Sequence, residues 1–335
     1  MRLESSKMLN RFSIFLLLLF SIQIASAGSL KFRKYAGEFM NIGVAARAQG
    51  MGGAFAAISG DIAAAYYNPA GIIGLQRDQI SIMHTQQLIA SVNYDFLAYG
   101  HRQGENRVWA VSLVRLGIDN IKDSRKAQEY LQNNPDKWRI NWDKVTTFNA
   151  ADYVLTMSVA QNWKHGWVLG GNLKLIRRDL ADHSANGFGF DLGLQRQFGN
   201  HFTFGASLWN ATSTLIAWDT GEKELVQPSL HVGGAFLVNL MKLRSAFRPV
   251  GEVIIRAEGR EKSTQANLGA FSFDFLGGLE YSFHEVLFIR TGIDEISRFN
   301  VGAGVKIPHI RIDYAFTNYD SELGNSHRIG LVVTL

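Results

Sequence analysis

The sequence predicts an all-β fold, a transmembrane antiparallel β-barrel of about 14 strands with a short N-terminal helical and Gly-rich plug inside it. Three observations predict this fold. Short segments in which apolar and polar residues alternate recur throughout residues 79–335. The connections between these segments are alternately short and long. A stretch unusually rich in small residues, 47–71, precedes the first segment.

The composition agrees with a membrane barrel. Charged residues make up 19% of the chain, below the roughly 25% of a typical soluble domain. The chain has 33 Gly, 5 Pro and 12% aromatic residues, which favours strands with one apolar face and one small or polar face. It has no cysteine, which excludes disulfides and thiolate metal sites and suits an exported protein in an oxidising compartment.

The net charge gives no argument for a nucleic-acid partner. The whole chain carries +5, and residues 1–27 carry Arg2, Lys7 and Arg11 against Glu4, which leaves +3 for the remainder. This charge is weak and scattered, as expected of solvated loops and barrel rims.

Residues 1–27 have the pattern of a secretory signal peptide. Lys7 and Arg11 form a basic region, residues 12–24 form an apolar core, and Ala25-Ser26-Ala27 is a small-residue cleavage site. The alternative is an uncleaved anchor, but the apolar run is shorter than the ~20 residues of a spanning helix. We expect cleavage after Ala27, and localisation in the outer membrane of a Gram-negative-type bacterium. No later stretch is apolar enough for a spanning helix, so a membrane protein of this sequence must be a closed barrel.

We expect residues 28–78 to form the plug, or hatch. Residues 36–48 predict a short helix with Phe39, Ile42 and Ala46 on one face. The following glycines allow close backbone approach, and Asn68-Pro69 predicts a turn.

Residues 79–335 then form the barrel. In residues 187–198 the apolar side chains alternate with Gly, Asp and Gln, which suits a crowded, wet lumen better than a soluble surface. The segments, each near the ~9–11 residues of a tilted transmembrane strand, begin near residues 79, 91, 107, 151, 166, 187, 201, 228, 248, 270, 286, 297, 308 and 326.

The connection lengths alternate as in outer-membrane barrels, which have short periplasmic turns and long external loops. The predicted short turns are GHRQGEN, NWKHG, QFGN, FHE and KIPH, with a longer exception near 239–247. The predicted long loops are 119–150, 178–186, 211–227, 258–269 and 318–325.

The loop 119–150 is the one substantial insertion. Residues 123–138 predict a helical turn that ends near Asn134-Pro135. Trp138, Trp142 and Phe148 are aromatic residues in a predicted external loop. Two alternatives remain open: the loop folds back to cap the barrel mouth, or these residues form an external partner surface.

The sequence predicts no enzyme, no catalytic residue, no cofactor and no metal site. The nine histidines do not occur at metal-ligand spacings, and His101, His165, His201, His284 and His309 fall in predicted short turns. No G-x-S-x-G element or P-loop is present, and nothing groups His84, Ser112 and Ser158 into a nucleophile system.

Six charged residues fall within barrel segments and should face the lumen, because a charge facing lipid at mid-depth costs about 2–4 kcal/mol. They form either a structural ion-pair network that holds the plug or a ligand path. These candidate lumen charges are Asp191, Glu252, Arg256, Arg290, Arg311 and Asp313.

The run AGEFMNIGVAARAQGMGGAFAAISGDIAAAYYNPAG, residues 36–71, resembles the PorV/PorQ family of outer-membrane proteins, which are relatives of the FadL long-chain fatty acid transporters. The C-terminal half also resembles the family, in hairpins such as GGLEYSFHEVLFIRTGID, although the chain ends in Leu335 where barrels usually end in an aromatic residue. The residues that carry the plug motif are Arg47, Gly50, Met51, Gly52, Gly53, Asp61, Asn68, Pro69 and Gly71.

The resemblance implies a fourteen-stranded FadL-like barrel with an internal hatch. It also implies two functions. The first is a non-enzymatic component of type IX-like secretion and surface attachment, whose partners are secretion-system proteins or secreted cargo besides outer-membrane lipid. The alternative is a transporter of hydrophobic small molecules, long-chain fatty acids or hydrocarbons, with a hydrophobic ligand in the lumen. A transporter needs a continuous apolar pocket that reaches a lateral gap in the wall. The Gly-rich, charged inward faces favour the secretion component.

Overall fold

The computed structural model describes residues 31–32, 37–87, 92–131, 134–257, 259, 264–319 and 324–335. The predicted signal peptide, residues 1–27, lies outside the described residues. Fourteen long strands form the wall of one barrel. They are β1 Gln79–Gln87, β2 Val92–Gln103, β3 Arg107–Asp123, β4 Thr146–Asn162, β5 Trp167–Leu180, β6 His183–Phe198, β7 Phe202–Trp209, β8 Ser229–Phe236, β9 Ser245–Arg256, β10 Phe271–Phe283, β11 Leu287–Ile293, β12 Phe299–Ile307, β13 Ile310–Thr317 and β14 Ser326–Thr334.

Each strand pairs antiparallel with the next along the chain. The barrel closes where β14 pairs with β1, in a register that opposes Thr334 to Gln79. Closure removes the free sheet edges, which is the condition for a sheet to span lipid. The predicted barrel of about 14 strands is therefore confirmed. Every predicted segment start lies within five residues of an observed strand start.

The alternation of the sequence places apolar side chains on the outside of the barrel. In β6, Phe188 and Leu192 are exposed while Asp191 and Gln195 are buried. The same phase recurs around the wall, for example at Leu97, which is 49% exposed. An apolar exterior over a polar interior is the arrangement of a lipid-facing wall. Among the described residues, no helix has the length and apolar character needed to cross a membrane.

The connections differ at the two ends of the barrel. At the end we call the short-turn end, the turns cover residues 104–106, 163–166, 199–201, 237–244, 284–286 and 308–309. The longest of these contains the short strand Val238–Leu240 and a 3-10 turn at Met241–Leu243. The opposite, long-loop end carries the larger connections, among them 210–228 and 257–270. Residues 210–228 contain a hairpin of Thr214–Trp218 with Lys223–Val226.

The prediction of a long connection at 178–186 is wrong. β5 continues to Leu180 and β6 begins at His183, so only two residues form the turn. The charged residues Arg177, Arg178 and Asp179 hid this extension, because they end the apolar alternation. Arg178 instead forms an ion pair with Asp152 of β4 at 2.8 Å.

The predicted helical turn in residues 123–138 is also wrong. β3 runs to Asp123, and the insertion contains a hairpin of Gln128–Leu131 with Asn134–Ile140, followed by a 3-10 turn at Trp142–Lys144. The hairpin register opposes Tyr130 to Trp138. Cross-strand aromatic pairing favours this arrangement over a helix, since such pairs stabilise a two-stranded ribbon.

Residues 37–75, called the inner segment below, lie inside the barrel and are mostly buried. The segment contains helix α1 Ala46–Gly50, helix α2 Ala64–Tyr67 and 3-10 turns at Glu38–Met40 and Pro69–Gly74. Its apolar side chains, such as Phe55 and Ile62, form the core of the molecule together with inward residues of the wall. A further strand, Lys31–Phe32, pairs parallel with Lys223–Val226.

The single helix predicted over 36–48 is wrong in its described part. Gly43 (φ 84°) and Ala45 (φ 60°) break the chain into a 3-10 turn and the later α1. The backbone N–H groups of Gly43 and Val44 donate to the hydroxyls of Tyr66 and Tyr67 instead of to helical carbonyls. Hydrogen bonds from residues 23 positions away therefore replace the local helical ones.

Candidate functional site between the inner segment and the barrel wall

Glycines of the wall allow the backbone of the inner segment to touch the strands. A Cβ at Gly292 of β11 would lie 2.3 Å from the carbonyl carbon of Met51, and one at Gly278 of β10 would lie 2.4 Å from its oxygen. Farther along the wall, in β7, a Cβ at Gly205 would lie 2.0 Å from the carbonyl oxygen of Ala56. Only residues without a Cβ permit this approach. The Gly-rich inward faces are thus the contact surface for the inner segment.

The glycines of the inner segment complement those of the wall. Gly52 has φ 68°, and a Cβ there would lie 2.4 Å from the carbonyl oxygen of Ile293. Gly50 faces Gly302 of β12, and a Cβ on it would lie 3.1 Å from the Gly302 Cα. Gly53 is also left-handed, with φ 79°. The predicted motif Gly50-Met51-Gly52-Gly53 is therefore the part of the segment that lies against β10–β12.

Asn68 connects the inner segment to itself and to the wall. Its Nδ2 donates to the carbonyl of Ala56 at 2.7 Å and to that of Leu194 in β6 at 3.1 Å. Its Oδ1 accepts from Ala70 N and caps the 3-10 turn that Pro69 begins. Each polar atom of this fully buried amide has a partner, as a buried amide requires.

A buried set of six charged residues joins the segment to the last strands of the wall. We call Arg47, Asp61, Glu280, Arg290, Arg311 and Asp313 the ionic cluster. Arg47 donates to Glu280 through two nitrogens, both at 2.8 Å, and to Asp61 at 2.9 Å. Arg311 lies 2.7 Å from Asp61. Two inner-segment residues are thus bound by charges of β10 and β13.

Arg290 completes the ionic cluster from β11. Its Nε lies 2.7 Å from Glu280 and its Nη1 lies 2.8 Å from Asp313. The whole Arg290 side chain is inaccessible to solvent. Breaking one pair in such a cluster leaves an uncompensated buried charge, which is strongly unfavourable.

Glu252 of β9 holds the segment through its backbone. Its Oε2 accepts from the N–H groups of Phe55 and Ala56, each at 2.9 Å. Its Oε1 lies 2.9 Å from His231 Nδ1, and His231 Nε2 lies 3.3 Å from Ser229 Oγ. This order resembles a Ser–His–acid relay. The adjoining cavity measures about 50 Å³, enough for a few waters, and in this arrangement Glu252 supports the segment through its backbone.

The structure places all six predicted lumen charges on inward faces, but it distributes them among four groups. Arg290, Arg311 and Asp313 belong to the ionic cluster, and Glu252 binds the segment backbone. Asp191 pairs with Lys174 at 2.7 Å, and Arg256 pairs with Asp274 at 2.5 Å and Glu295 at 2.6 Å.

Sequence reasoning missed Glu280 and His231. Glu280 lies between Leu279 and Tyr281 of the apolar stripe in β10, so its phase already pointed inward.

The aromatic loop residues lie apart from these groups. Trp138 and Trp142 are 56% and 69% exposed, and Lys122 lies 5.6 Å from the Trp142 ring. Phe148 is half-buried within β4.

A family model described as Uncharacterised protein family (UPF0164) matches residues 22–213, more than half of the 335 residues. The chain belongs to this family. The UPF0164 match spans the inner segment and β1 to β7, half of the strands of the wall. No curated protein matches the chain.

Solved structures of similar fold include hydrocarbon transporters and channels. The toluene transporter TodX of Pseudomonas putida has a TM-score of 0.55 and 13% identity, over 87% of this chain and 97% of its own. The toluene transporter TbuX of Ralstonia pickettii has a TM-score of 0.54 and 12% identity over the same shares. The CymD monoaromatic hydrocarbon channel has a TM-score of 0.51 and 13% identity, over 88% and 98%. At these identities the likeness shows that this UPF0164 chain shares their fold.

Proposed function

We propose that this protein is an outer-membrane transporter for hydrophobic small molecules, non-enzymatic, with the inner segment as its movable plug. In this proposal residues 1–27 are removed on export, 28–78 form the plug and 79–335 form the barrel. The transporters and channel described above share the fold over nearly the whole chain, and the apolar exterior suits a lipid bilayer.

The observation that carries the proposal is an irregularity of the wall beside an aromatic cavity. β7 pairs with β6 up to Leu208↔Leu192. The next short strand, Thr214–Trp218, also pairs with β6, but its register, which begins at Leu215↔Phe188, is shifted by three residues. Asn210 and Ser213, both with positive φ, form the bulge between them. Such bulges are over-represented next to functional sites in barrels.

The cavities behind the bulge are apolar and aromatic in part. One measures about 20 Å³, and its lining combines Met40, Tyr66, Val114 and Trp209 with the buried pair of Lys174 and Asp191. The 50 Å³ cavity is lined by Tyr66, Tyr67 and Trp209 as well. Both lie against the inner segment. A hydrophobic ligand would enlarge them by displacing the segment, and the proposal therefore requires the segment to move.

The absence of cysteine from the chain allows a direct test. A Cβ at Gly330 of β14 would lie 3.5 Å from the Cβ of Ala46, which is within the range for a disulfide. The Ala46→Cys/Gly330→Cys variant would tether the segment to the wall when oxidised. Uptake of radiolabelled toluene and oleate would be measured in cells that carry this protein in the outer membrane and have no other transporter for these compounds.

We expect uptake above the empty-vector level for the unmodified chain, loss of uptake in the oxidised double variant, and recovery after reduction. The single variants Ala46→Cys and Gly330→Cys control for the substitutions. Equal uptake in both redox states would refute the movable plug. Uptake at the empty-vector level for the unmodified chain would refute transport itself.

A second proposal is the secretion component implied by the PorV/PorQ resemblance of residues 36–71. The exposed aromatic hairpin with Tyr130 and Trp138 favours it, since exposed aromatic groups often mark protein contacts. Its partners would be secretion-system proteins or secreted cargo. Co-purification from solubilised outer membranes, compared between the unmodified chain and Trp138→Ser/Trp142→Ser, tests this. Loss of a secretion protein in the variant would support it, and recovery of the barrel without such proteins would argue against it.

A further inference from the structure

A cavity of about 380 Å³ opens near the short-turn end. Its lining is basic. Arg47, Arg248, Arg290, Lys306 and Arg311 line it, against the carboxylates of Glu280 and Glu285. An apolar ligand would find few partners on such a wall, whereas an anion would find several.

The charges around this cavity do not cancel. Four guanidinium groups, those of Arg47, Arg248, Arg290 and Arg311, share the three carboxylates of Asp61, Glu280 and Asp313. Lys306, near the end of β12, and Glu285, in the turn 284–286, offset each other in formal charge. Among the described residues at the cavity, one positive charge therefore remains uncompensated.

Arg248 is the most exposed of these four arginines and offers its donors to the cavity. The Arg290 side chain has no solvent-accessible surface, and its Nη2 has no acceptor among the described residues. Arg290 therefore adds positive charge behind the cavity wall without touching a ligand. Arg248 makes one side-chain hydrogen bond, to Glu280 at 3.2 Å, and its side chain is 29% exposed.

We propose that this cavity is a binding site for a small carboxylate. Carboxylates are already the partners of all four of these arginines, and the planar guanidinium fork matches the two oxygens of such a group. The carboxylate belongs either to a free small organic acid or to the head group of an amphipathic acid. The site is independent of the proposed transport, because binding requires no movement of the inner segment.

Calorimetric titration of the folded full-length protein in a zwitterionic detergent tests the proposal. The probes are succinate, decanoate below its micelle concentration, and inorganic phosphate. We expect a carboxylate to bind. Its affinity should fall by about tenfold or more in Arg248→Gln and in Lys306→Gln, since a hydrogen bond to a charged group contributes about 1.5–3 kcal/mol. Lys242→Gln, at the same end but outside the cavity, should bind as the unmodified protein does.

Each outcome decides the proposal. Binding of succinate assigns a free acid, and binding of decanoate without succinate assigns an amphipathic head group. Phosphate binding tighter than either carboxylate would overturn the carboxylate assignment. Absence of carboxylate binding at millimolar concentration, or equal affinity in Lys306→Gln, would overturn the site. Lys306 is exposed, so its variant remains informative if Arg248→Gln does not fold.

Discussion

Arg47 of the inner segment and Glu280 of β10, which are 233 positions apart in the chain, form a buried two-pronged ion pair with both N–O distances at 2.8 Å. Such paired hydrogen bonds specify orientation as well as charge. Arg290 also donates to Glu280, so this one carboxylate serves both the segment and the wall.

Replacing Glu280 with Gln should strongly destabilise the protein. The change leaves Arg47 and Arg290 buried with one partner fewer each, and removal of one member of a buried pair costs about 3–5 kcal/mol. Urea-induced unfolding in lipid vesicles measures the loss. Glu129→Gln is the control, because the partners of Glu129, Lys144 and Arg139, are exposed and such pairs contribute at most about 1 kcal/mol. Similar losses in the two variants would contradict the role of the ionic cluster.

Gly292→Ala should loosen the inner segment while the barrel remains closed. The new Cβ would lie 2.3 Å from Met51, and overpacking of this kind costs about 1–3 kcal/mol. We expect faster proteolysis within residues 37–75 and unchanged heat-modifiability of the barrel on gels. Gly277→Ala is the matched control, because no atom lies within 4 Å of a Cβ there. Equal proteolysis of the two variants would show that the contact is not tight.

Asn68→Ala should destabilise the seated segment by about 1–3 kcal/mol, because it leaves the buried carbonyls of Ala56 and Leu194 without this donor. Asn162→Ala removes an amide that is exposed and bonded in a turn, and it should have a much smaller effect. Hydrogen exchange of the Ala70 amide, which Asn68 caps, reports the change locally. Unaltered protection of that amide would contradict the capping role.

Stability in acid should depend on Asp78, just before β1. Hydrogen bonds from His101, from the Tyr99 hydroxyl and from the Arg102 backbone lower the pKa of Asp78 from 3.8 to about 2. A carboxyl whose pKa is lowered by folding stabilises the native state above its unfolded pKa, and this contribution is lost as the pH falls through the folded value. Unfolding measured from pH 5 to about 2 should therefore show a smaller decline for Asp78→Asn than for the unmodified chain. Parallel declines would refute this.

The strands were predictable because their signal is local. A wall that faces lipid on its outside and a polar interior on its inside requires apolar residues such as Phe188 to alternate with polar residues such as Asp191 along each strand. The alternation of apolar and polar residues ends where the strands extend beyond the apolar belt. For that reason the turn after Leu180 and the hairpin that contains Trp138 were mispredicted.

The inward phase of a charge was also predictable, but its partner was not. Nothing local connects Arg47 to Glu280, because their meeting depends on closure of the whole barrel. The break near Gly43 is similar, since the Tyr66 and Tyr67 hydroxyls that stabilise it come from a later element.

The position of the inner segment also constrains the order of assembly. Residues 37–75 leave the ribosome before any strand of the wall, yet the wall residues that pair with Arg47 and Asp61 lie in β10 and β13, and the glycine contacts extend to β12. The ionic partners of the first part of the chain are therefore among the last residues to be made. Contacts of such long sequence separation form slowly. A chain truncated before β10 would keep Glu252 of β9 but would lack Glu280 and Arg311, the wall partners of Arg47 and Asp61. The inner segment must accordingly remain unaggregated until the seam between β1 and β14 closes.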